Sequence, residues 1–264
     1  MSLNFEAIGI PIAIIANKDE DKKKTRANNP IVCVSETDSG LAKPFTELSL
    51  RDREDQYFQL IPNPETERQI LYITGSSGSG KSYFTKKYCR EFARIFPKRP
   101  IIMISSVDKD DSVDDIKNLK RMKIKTKEFL DDEFSIDDFK DCLVIFDDTD
   151  CITDKKLRTK VNSILGMILE TGRHTNTYCI YTSHLATAGN DTKRILNESH
   201  SITFFPKTMG GRMMKYLCEN YLGLDKKEID HLKRIPSRSI TVMKTYPKVV
   251  LGDKDVFLLS SLNK

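Results

Sequence analysis

Gly75-Ser76-Ser77-Gly78-Ser79-Gly80-Lys81-Ser82 decides the fold of this 264-residue chain. The stretch fits G-x-x-x-x-G-K-[ST] without a mismatch. The apolar run Ile70-Leu71-Tyr72-Ile73-Thr74 leads into it and reads as a buried strand, and residues 83–96 follow as a helix. Strand, Gly-rich turn and helix are the context in which such a turn cradles phosphate. Glycine and serine let the backbone curl so that successive N–H groups point inward at anionic oxygens. A helix starting at Lys81 aims the positive end of its dipole at the same point. Lys81 is therefore expected to reach the β- and γ-phosphates, and the Ser82 hydroxyl to ligate Mg²⁺, which makes ATP and Mg²⁺ the expected cofactors. The plain alternative is a Ser/Gly-rich turn that happens to contain a lysine; the flanking strand and helix argue against it.

Working outward, residues 83–96 carry Phe84, Tyr88, Phe92 and Ile95 at helical spacing, a core-packing stripe, and Pro97 and Pro100 end the helix. Ile101-Ile102-Met103-Ile104 reads as a second buried strand. Ser105, Ser106 and the acidic residues 108–115 follow at its carboxyl end, where α/β proteins gather ligands. Residues 113–141 read as short helices around a charged connection. Cys142-Leu143-Val144-Ile145-Phe146-Asp147-Asp148 is then an apolar run ending in two carboxylates, a Walker B pattern. A strand buried on both faces reads as continuous hydrophobics. Its end is expected to deliver Asp147 to the Mg²⁺ shell and Asp148 to the attacking water. Strands ending in acidic turns are common, so the pattern gains weight from its position about sixty-five residues after the phosphate cradle, across an α/β unit.

Residues 155–170 form an amphipathic pattern through Leu157, Val161, Ile164, Leu165 and Ile168, closed by Thr171-Gly172-Arg173-His174. Tyr178-Cys179-Ile180-Tyr181-Thr182 reads as the next strand, ending at Ser183-His184. Beyond it, 201–205 reads as a strand, 209–221 and 226–233 as helices, and 238–245 and 249–259 as strands. Alternation of this kind predicts an α/β fold with a mostly parallel sheet and helices on both faces. Residues 1–67, with short strands over 7–15 and 31–34 and breaks at Pro44, Pro62 and Pro64, read as a small β-rich N-terminal appendage. Residues 68–264 read as the core with a basic C-terminal part. Lys22-Lys23-Lys24, within a charged loop over 17–29, reads as solvated.

At 39% hydrophobic and 31% charged the composition is that of an ordinary globular chain. No apolar run approaches a membrane-spanning length, and the start Met-Ser-Leu-Asn-Phe-Glu lacks the pattern of a signal peptide. The six cysteines show no paired metal spacing, and Cys142 and Cys179 sit within apolar strands, as expected of buried thiols in a reducing compartment. His174 and His184 have no Cys or His partners at metal spacing. The net charge of +5 is unevenly spread. Residues 193–248 hold twelve Lys/Arg against five Asp/Glu, whereas 107–141 hold eight against twelve. The basic excess of the C-terminal third points toward a polyanion.

On Gly75–Ser82, Ile101-Ile102-Met103-Ile104-Ser105-Ser106, Leu143–Asp148 and Gly172-Arg173-His174-Thr175-Asn176 leading to Thr182-Ser183-His184, the chain resembles the FtsK–HerA superfamily of DNA-pumping P-loop ATPases. Within it, the chain resembles the genome-packaging ATPases of large DNA viruses, the poxvirus type. The resemblance runs from about residue 69 to 205, and its last stretch is the most discriminating. It implies a RecA-like core in which the Ser183 strand lies between the cradle strand and the Asp147 strand. That order brings Thr182, Ser183 or His184 to the γ-phosphate as a sensor, with Ser183 taken as the catalytic candidate. Many cellular relatives have glutamine near this position, and glutamate where Asp148 stands. Arg173 resembles the arginine finger that several relatives give to a neighbouring subunit, where a guanidinium can stabilise charge on the transferring phosphoryl group. Arg194 and Arg212 are competing candidates, and a surface arginine capping a helix is the plain reading.

The resemblance further implies a ring, a hexamer or pentamer, around double-stranded DNA, working with viral capsid or portal components in a virion or in the viral factory of a host cytoplasm. The basic C-terminal part suits phosphate contacts, and the loop 185–192 is a candidate to face the channel. The reading is an ATP-hydrolysing motor moving viral DNA into a capsid. A P-loop kinase acting on a nucleotide or other small acceptor, and a scaffold that uses ATP only to assemble, are the alternatives. Intact Lys81, Ser82, Asp147 and Asp148 argue against the last.

Overall fold

The computed structural model describes residues 2–18, 29–35, 45–66, 68–108, 113–187, 190–246 and 248–259. The Lys22–Lys24 run lies outside the described residues, as do residues 109–112 of the acidic stretch and 188–189 of the candidate channel loop. The chain forms two compact units, one of residues 66–202 and one of residues 1–65 together with 203–264.

The second of these begins with β1 (Ser2–Asn4), β2 (Ile10–Asn17), β3 (Ile31–Ser35), β4 (Glu47–Ser49) and β5 (Gln56–Leu60). β1, β3, β2 and β5 make an antiparallel sheet in that order.

Residues 66–202 carry β6 (Ile70–Thr74), α1 (Lys81–Ile95), β7 (Ile101–Ser105), β8 (Leu119–Arg121), α2 (Lys127–Asp131), β9 (Leu143–Asp147), α3 (Lys155–Thr171), β10 (Tyr178–Ser183) and α4 (Asn190–Glu198). Their strands run in the order β6-β10-β9-β7-β8, and each of these neighbouring pairs is parallel. This is the mostly parallel α/β sheet that the alternating pattern predicts. β10 lies between β6 and β9, in register with both through Ile180, which pairs with Leu71 and Ile145. The apolar runs explain the centre: β6, β9 and β10 are buried along their whole length. Tyr72 stacks on Tyr181 at 5.8 Å, and Phe92 meets Tyr178 edge-on at 5.3 Å, which ties α1 to the sheet. Full burial of a side chain the size of Phe92 contributes roughly 1.5–3 kcal/mol. The α1 stripe is buried at Tyr88 and Phe92 but only half-buried at Phe84 and Ile95, because Thr85 and Cys89 share the inner face.

α3 is capped at its start by the Asp154 carboxylate, which accepts from Leu157 N at 2.8 Å. At its end Arg68 donates to the carbonyls of Ile168 (2.7 Å), which also accepts from Gly172 N, and Leu169 (3.0 Å), in the last turn where a helix runs short of donors. Gly172 has a packing reason: a Cβ there would lie 2.5 Å from the Ile168 carbonyl oxygen. The region 113–141 differs from its expectation. It includes β8, paired to β7, alongside α2 and a 3₁₀ turn at Ile136–Phe139. Three residues are too few for a periodic signal.

The chain continues as β11 (Ser201–Phe204), α5 (Gly211–Leu222), α6 (Lys226–Arg234), β12 (Ile240–Met243), β13 (Val249–Gly252) and β14 (Asp255–Leu258). The expected single strand over 249–259 is a hairpin, β13 and β14 folding back on each other around Asp253-Lys254. β12, β13, β14 and β4 are joined in antiparallel order. Buried Asp255 anchors the far edge, accepting from Ser49 Oγ at 2.9 Å and pairing with Arg51 at 3.0 Å. Among the described residues, no helix is long and apolar enough to cross a membrane.

Candidate active site

β6 ends at Thr74, and the chain turns through Gly75 to Gly80 into α1. Gly78 at φ +73° and Gly80 at φ +117° use backbone conformations that L side chains rarely adopt. Gly75 N donates to the Ser183 carbonyl at 3.1 Å, tying the start of the turn to the end of β10, and Ser79 N donates to Ser76 O at 3.1 Å. Ser76, Ser77 and Gly78 are exposed, Ser79 is buried, and Ser82 is half-buried. No side chain caps α1 and no acidic residue sits in its first turn, so its dipole end is offered to an anion from outside.

Lys81 lies 7% exposed beneath this turn. Its Nζ donates to Gly75 O at 2.9 Å and to His184 Nδ1 at 3.1 Å, and Asp148 Oδ1 lies 3.9 Å away. His184 Nε2 meets Asp148 Oδ2 at 3.0 Å. An ammonium donating to Nδ1 puts the imidazole proton on Nε2, which then donates to the carboxylate. Lys81, His184 and Asp148 thus form one chain of charge-assisted hydrogen bonds.

Asp147 is buried at the end of β9. The Thr182 hydroxyl donates to its Oδ1 at 2.9 Å, and the Ser105 hydroxyl, from β7, reaches its Oδ2 at 3.3 Å. Asp148 sits in the left-handed region at φ 49°, which aspartate tolerates better than most residues. Its N–H donates to Thr182 Oγ1 at 3.0 Å, and Ser106 Oγ reaches its carbonyl at 3.3 Å. A 3₁₀ turn, Thr149–Cys151, follows directly, and carries Asp150 to Ser183 Oγ at 2.7 Å.

Alternation along β10 explains the rest. Successive residues of a strand point to opposite faces. Thr182 and His184 meet Asp147, Asp148 and Lys81, whereas the Ser183 side chain turns to Asp150 and to Leu185, whose N–H it accepts at 3.3 Å. The structure therefore brings Lys81, Asp147, Asp148, Thr182 and His184 together and does not bring the Ser183 hydroxyl to Lys81. Arg173 is exposed in the turn between α3 and β10, at the opposite end of the sheet from Lys81. The length of β10 alone puts about 20 Å between those ends. His174 shares that far turn. Arg194 pairs with Glu170, and Arg212 is exposed on α5. Asp150 and the supporting Ser105 contact are absent from the motif reading. Their signal was only a third acid in Asp147-Asp148-Thr149-Asp150 and a hydroxyl at a strand end.

Burial sets the thiol electrostatics, and the gathered acids add to it at Cys89 and Cys151. Burial, and then the Asp147 charge, push the Cys89 thiol far above its ordinary value. Partial burial followed by Asp150 and Asp148 raises exposed Cys151. Burial alone is the main cause at Cys142, Cys179 and Cys218, each pushed up to about 12, and at Cys33, up to about 11. All six thiols are free.

The donor set fits a magnesium–triphosphate. Among the described residues no three His, Cys, Asp or Glu side chains converge as a metal cage. Mg²⁺ is ordinarily held by one or two carboxylates together with substrate phosphates and water, and Ser82 with Asp147 supplies a hydroxyl and a carboxylate of that kind. The left-handed glycines and the uncapped helix start have the geometry that a phosphate cradle requires.

No established family description matches the chain. It is 44% identical over 193 residues to "Uncharacterized protein V3" of Sputnik virophage, a match covering 72% of this chain and 76% of that protein. Distant likenesses to solved structures include B204, the DNA-packaging ATPase from Sulfolobus turreted icosahedral virus (14% identity, 70% of this chain and 97% of that one, TM-score 0.47). The conjugation coupling protein TcpA of pCW3, with ATPγS, is a second (12% identity, 95% of this chain and 77% of that one, TM-score 0.44).

Proposed function

The chain belongs to the family of the virophage protein V3, and from that premise we propose that it is an ATP-hydrolysing motor that moves double-stranded viral DNA into a capsid. The observation that carries the enzymatic half is the convergence of Lys81, Asp147, Asp148, Thr182 and His184 beside the Gly75–Ser82 turn. In this reading Gly75, Ser76, Ser77, Gly78, Ser79 and Gly80 wrap the phosphates with backbone N–H groups, and Lys81 leaves His184 to meet them. Ser82 and Asp147 hold Mg²⁺, which when bound neutralises charge on the phosphate oxygens. Asp148 orients the attacking water and accepts its proton as the new P–O bond forms and the bond to ADP breaks. His184, released by Lys81, takes the sensing role that the sequence shared among Thr182, Ser183 and itself. Thr182 keeps the two carboxylates in place.

Arg173 lies far from Lys81 of its own chain, so as a finger it would act on a neighbour in a ring, a hexamer or pentamer. Mixing Arg173→Ala subunits with Asp148→Asn subunits is the check. Mixed assemblies are expected to recover part of the activity that each variant lacks alone, and no recovery at any ratio counts against Arg173.

Support for the DNA half is the charge of the C-terminal third, where Lys207, Arg212, Lys215, Lys226, Lys227, Lys233, Arg234 and Arg238 are all exposed. Phosphate neutralisation by such residues dominates sequence-independent DNA affinity. Capsid or portal components, and a place in the virion or in the viral factory of a host cytoplasm, belong to the same proposal. The test is ATP hydrolysis with and without duplex DNA. Stimulation by DNA is expected. Phosphoryl transfer to a small acceptor, with no response to DNA, would establish the kinase alternative instead.

A further inference from the structure

We propose that Asp150 is a positioning residue that sets the His184 imidazole between Lys81 and Asp148. The inference rests on the hydrolytic reading of the site for its kinetic consequence but not for its geometry. The left-handed Asp148 and the 3₁₀ turn after it make the chain straddle the end of β10. Asp148 falls on one side of that strand end and Asp150 on the other. Asp150 Oδ2 accepts from the Ser183 hydroxyl at 2.7 Å and from the His184 backbone N–H at 3.3 Å. Ser183 Oγ in turn accepts from Leu185 N at 3.3 Å. Tyr72 OH donates to the Leu185 carbonyl at 3.1 Å. Residues 183–185 are thereby held on their outer side while the His184 ring spans Lys81 and Asp148 on the inner side.

Ser183 is fully buried, so its hydroxyl depends on protein acceptors; the Asp150 carboxylate at 2.7 Å is the shorter contact and a charged acceptor, and the Leu185 carbonyl lies at 2.9 Å. The contacts of Asp150 are with Ser183 and the His184 backbone, and its hold on the chemistry runs through the backbone and ring of His184. This gives a role to the third acid of Asp147-Asp148-Thr149-Asp150, which the water, metal and phosphate assignments leave without one. It also explains why Ser183 follows Thr182 even though its hydroxyl faces away from the phosphate side: it is the grip by which Asp150 holds the strand end.

The experiment compares Asp150→Ala, Asp150→Asn and Ser183→Ala with wild type in two measurements. Imidazole NMR of His184 without nucleotide needs no turnover. Wild type is expected to show a fixed Nε2–H tautomer, and Asp150→Ala a mixture of tautomers. Asp150→Asn, which keeps a carbonyl acceptor, is expected to stay close to wild type. In steady-state hydrolysis, Asp150→Ala is expected to lose about 10–100-fold in kcat, up to the cost of misplacing a reacting group by about 1 Å, while ATP affinity changes less than about threefold because Lys81 and the glycine turn still meet the phosphates. Ser183→Ala is expected to move both readouts in the same direction by less, and it serves if Asp150→Ala does not fold. Unchanged His184 signals in Asp150→Ala and Ser183→Ala would overturn the proposal. So would equal losses in affinity and kcat, or an Asp150→Asn as impaired as Asp150→Ala. A wild type that hydrolyses no ATP would remove the hydrolytic reading, yet the NMR comparison would still decide the role of Asp150.

Discussion

Lys81→Ala is expected to weaken ATP binding by about 10–100-fold and to take hydrolysis to background. Hydrogen bonds to charged groups contribute about 1.5–3 kcal/mol each, and every 1.4 kcal/mol is tenfold in affinity. The Lys81 ammonium is already stripped of most water, held by Gly75 O and His184 Nδ1, and the residue is 7% exposed. Little further desolvation remains when a phosphate replaces His184, so most of the new interaction appears as affinity. The fold should tolerate the change. β6 and α1 are held by buried Tyr72, Tyr88 and Phe92, none of which touches the ammonium in the contacts described. Asp148 keeps His184 as a donor after the lysine is gone. Calorimetric titration with a non-hydrolysable ATP analogue, alongside a melting curve, checks both points. Wild-type affinity in a folded Lys81→Ala protein would remove the lysine from the phosphate site.

Asp148→Asn is expected to behave in the opposite way, binding ATP as well as or better than wild type while losing about 10²–10⁴-fold in turnover. That range is what a positioned general base ordinarily supplies. The choice of asparagine isolates the charge. Position 148 sits at φ 49°, a conformation that asparagine and aspartate share and a β-branched residue would resist. The N–H that donates to Thr182 Oγ1 and the carbonyl that takes the Ser106 hydroxyl are backbone groups and survive the substitution. One negative charge is removed from a site already holding Asp147 and Asp150, so the triphosphate meets less repulsion. A rapid-quench measurement of one turnover, with affinity measured separately, distinguishes the effects. Normal turnover in Asp148→Asn would exclude Asp148 as base and leave the His184 imidazole as the nearest proton acceptor.

The two variants also separate what the motifs encode from what the fold adds. The place of Lys81 at the start of α1 was legible because every part of that reading is local: the glycines need left-handed backbone, the run before them needs burial, and the helix after them carries its own periodicity. Asp147 and Asp148 were legible as the end of a continuous apolar strand. The choice among Thr182, Ser183 and His184 was not. Alternation requires Ser183 to oppose its two neighbours. Which face meets Lys81 and Asp147 depends on the register of β10 against β6 and β9, set by residues about thirty-five to more than a hundred positions away.

By itself, then, the sequence determined the strand–turn–helix of residues 70–95, the acidic end of β9, the amphipathic α3 and the parallel α/β class, since each is a matter of neighbouring residues and their period. The tertiary structure alone decided that His184 spans Lys81 and Asp148, that Asp150 grips Ser183 from behind, and that Arg173 stands at the far end of the sheet. It also decided that residues 249–259 fold into a hairpin whose β14 pairs with β4, joining 203–264 to 1–65 in one compact unit. Pairing between distant segments leaves no periodic trace in either of them. It arises only when the chain closes the long loop between them, and the gain comes from hydrogen bonds and burial that neither segment makes alone.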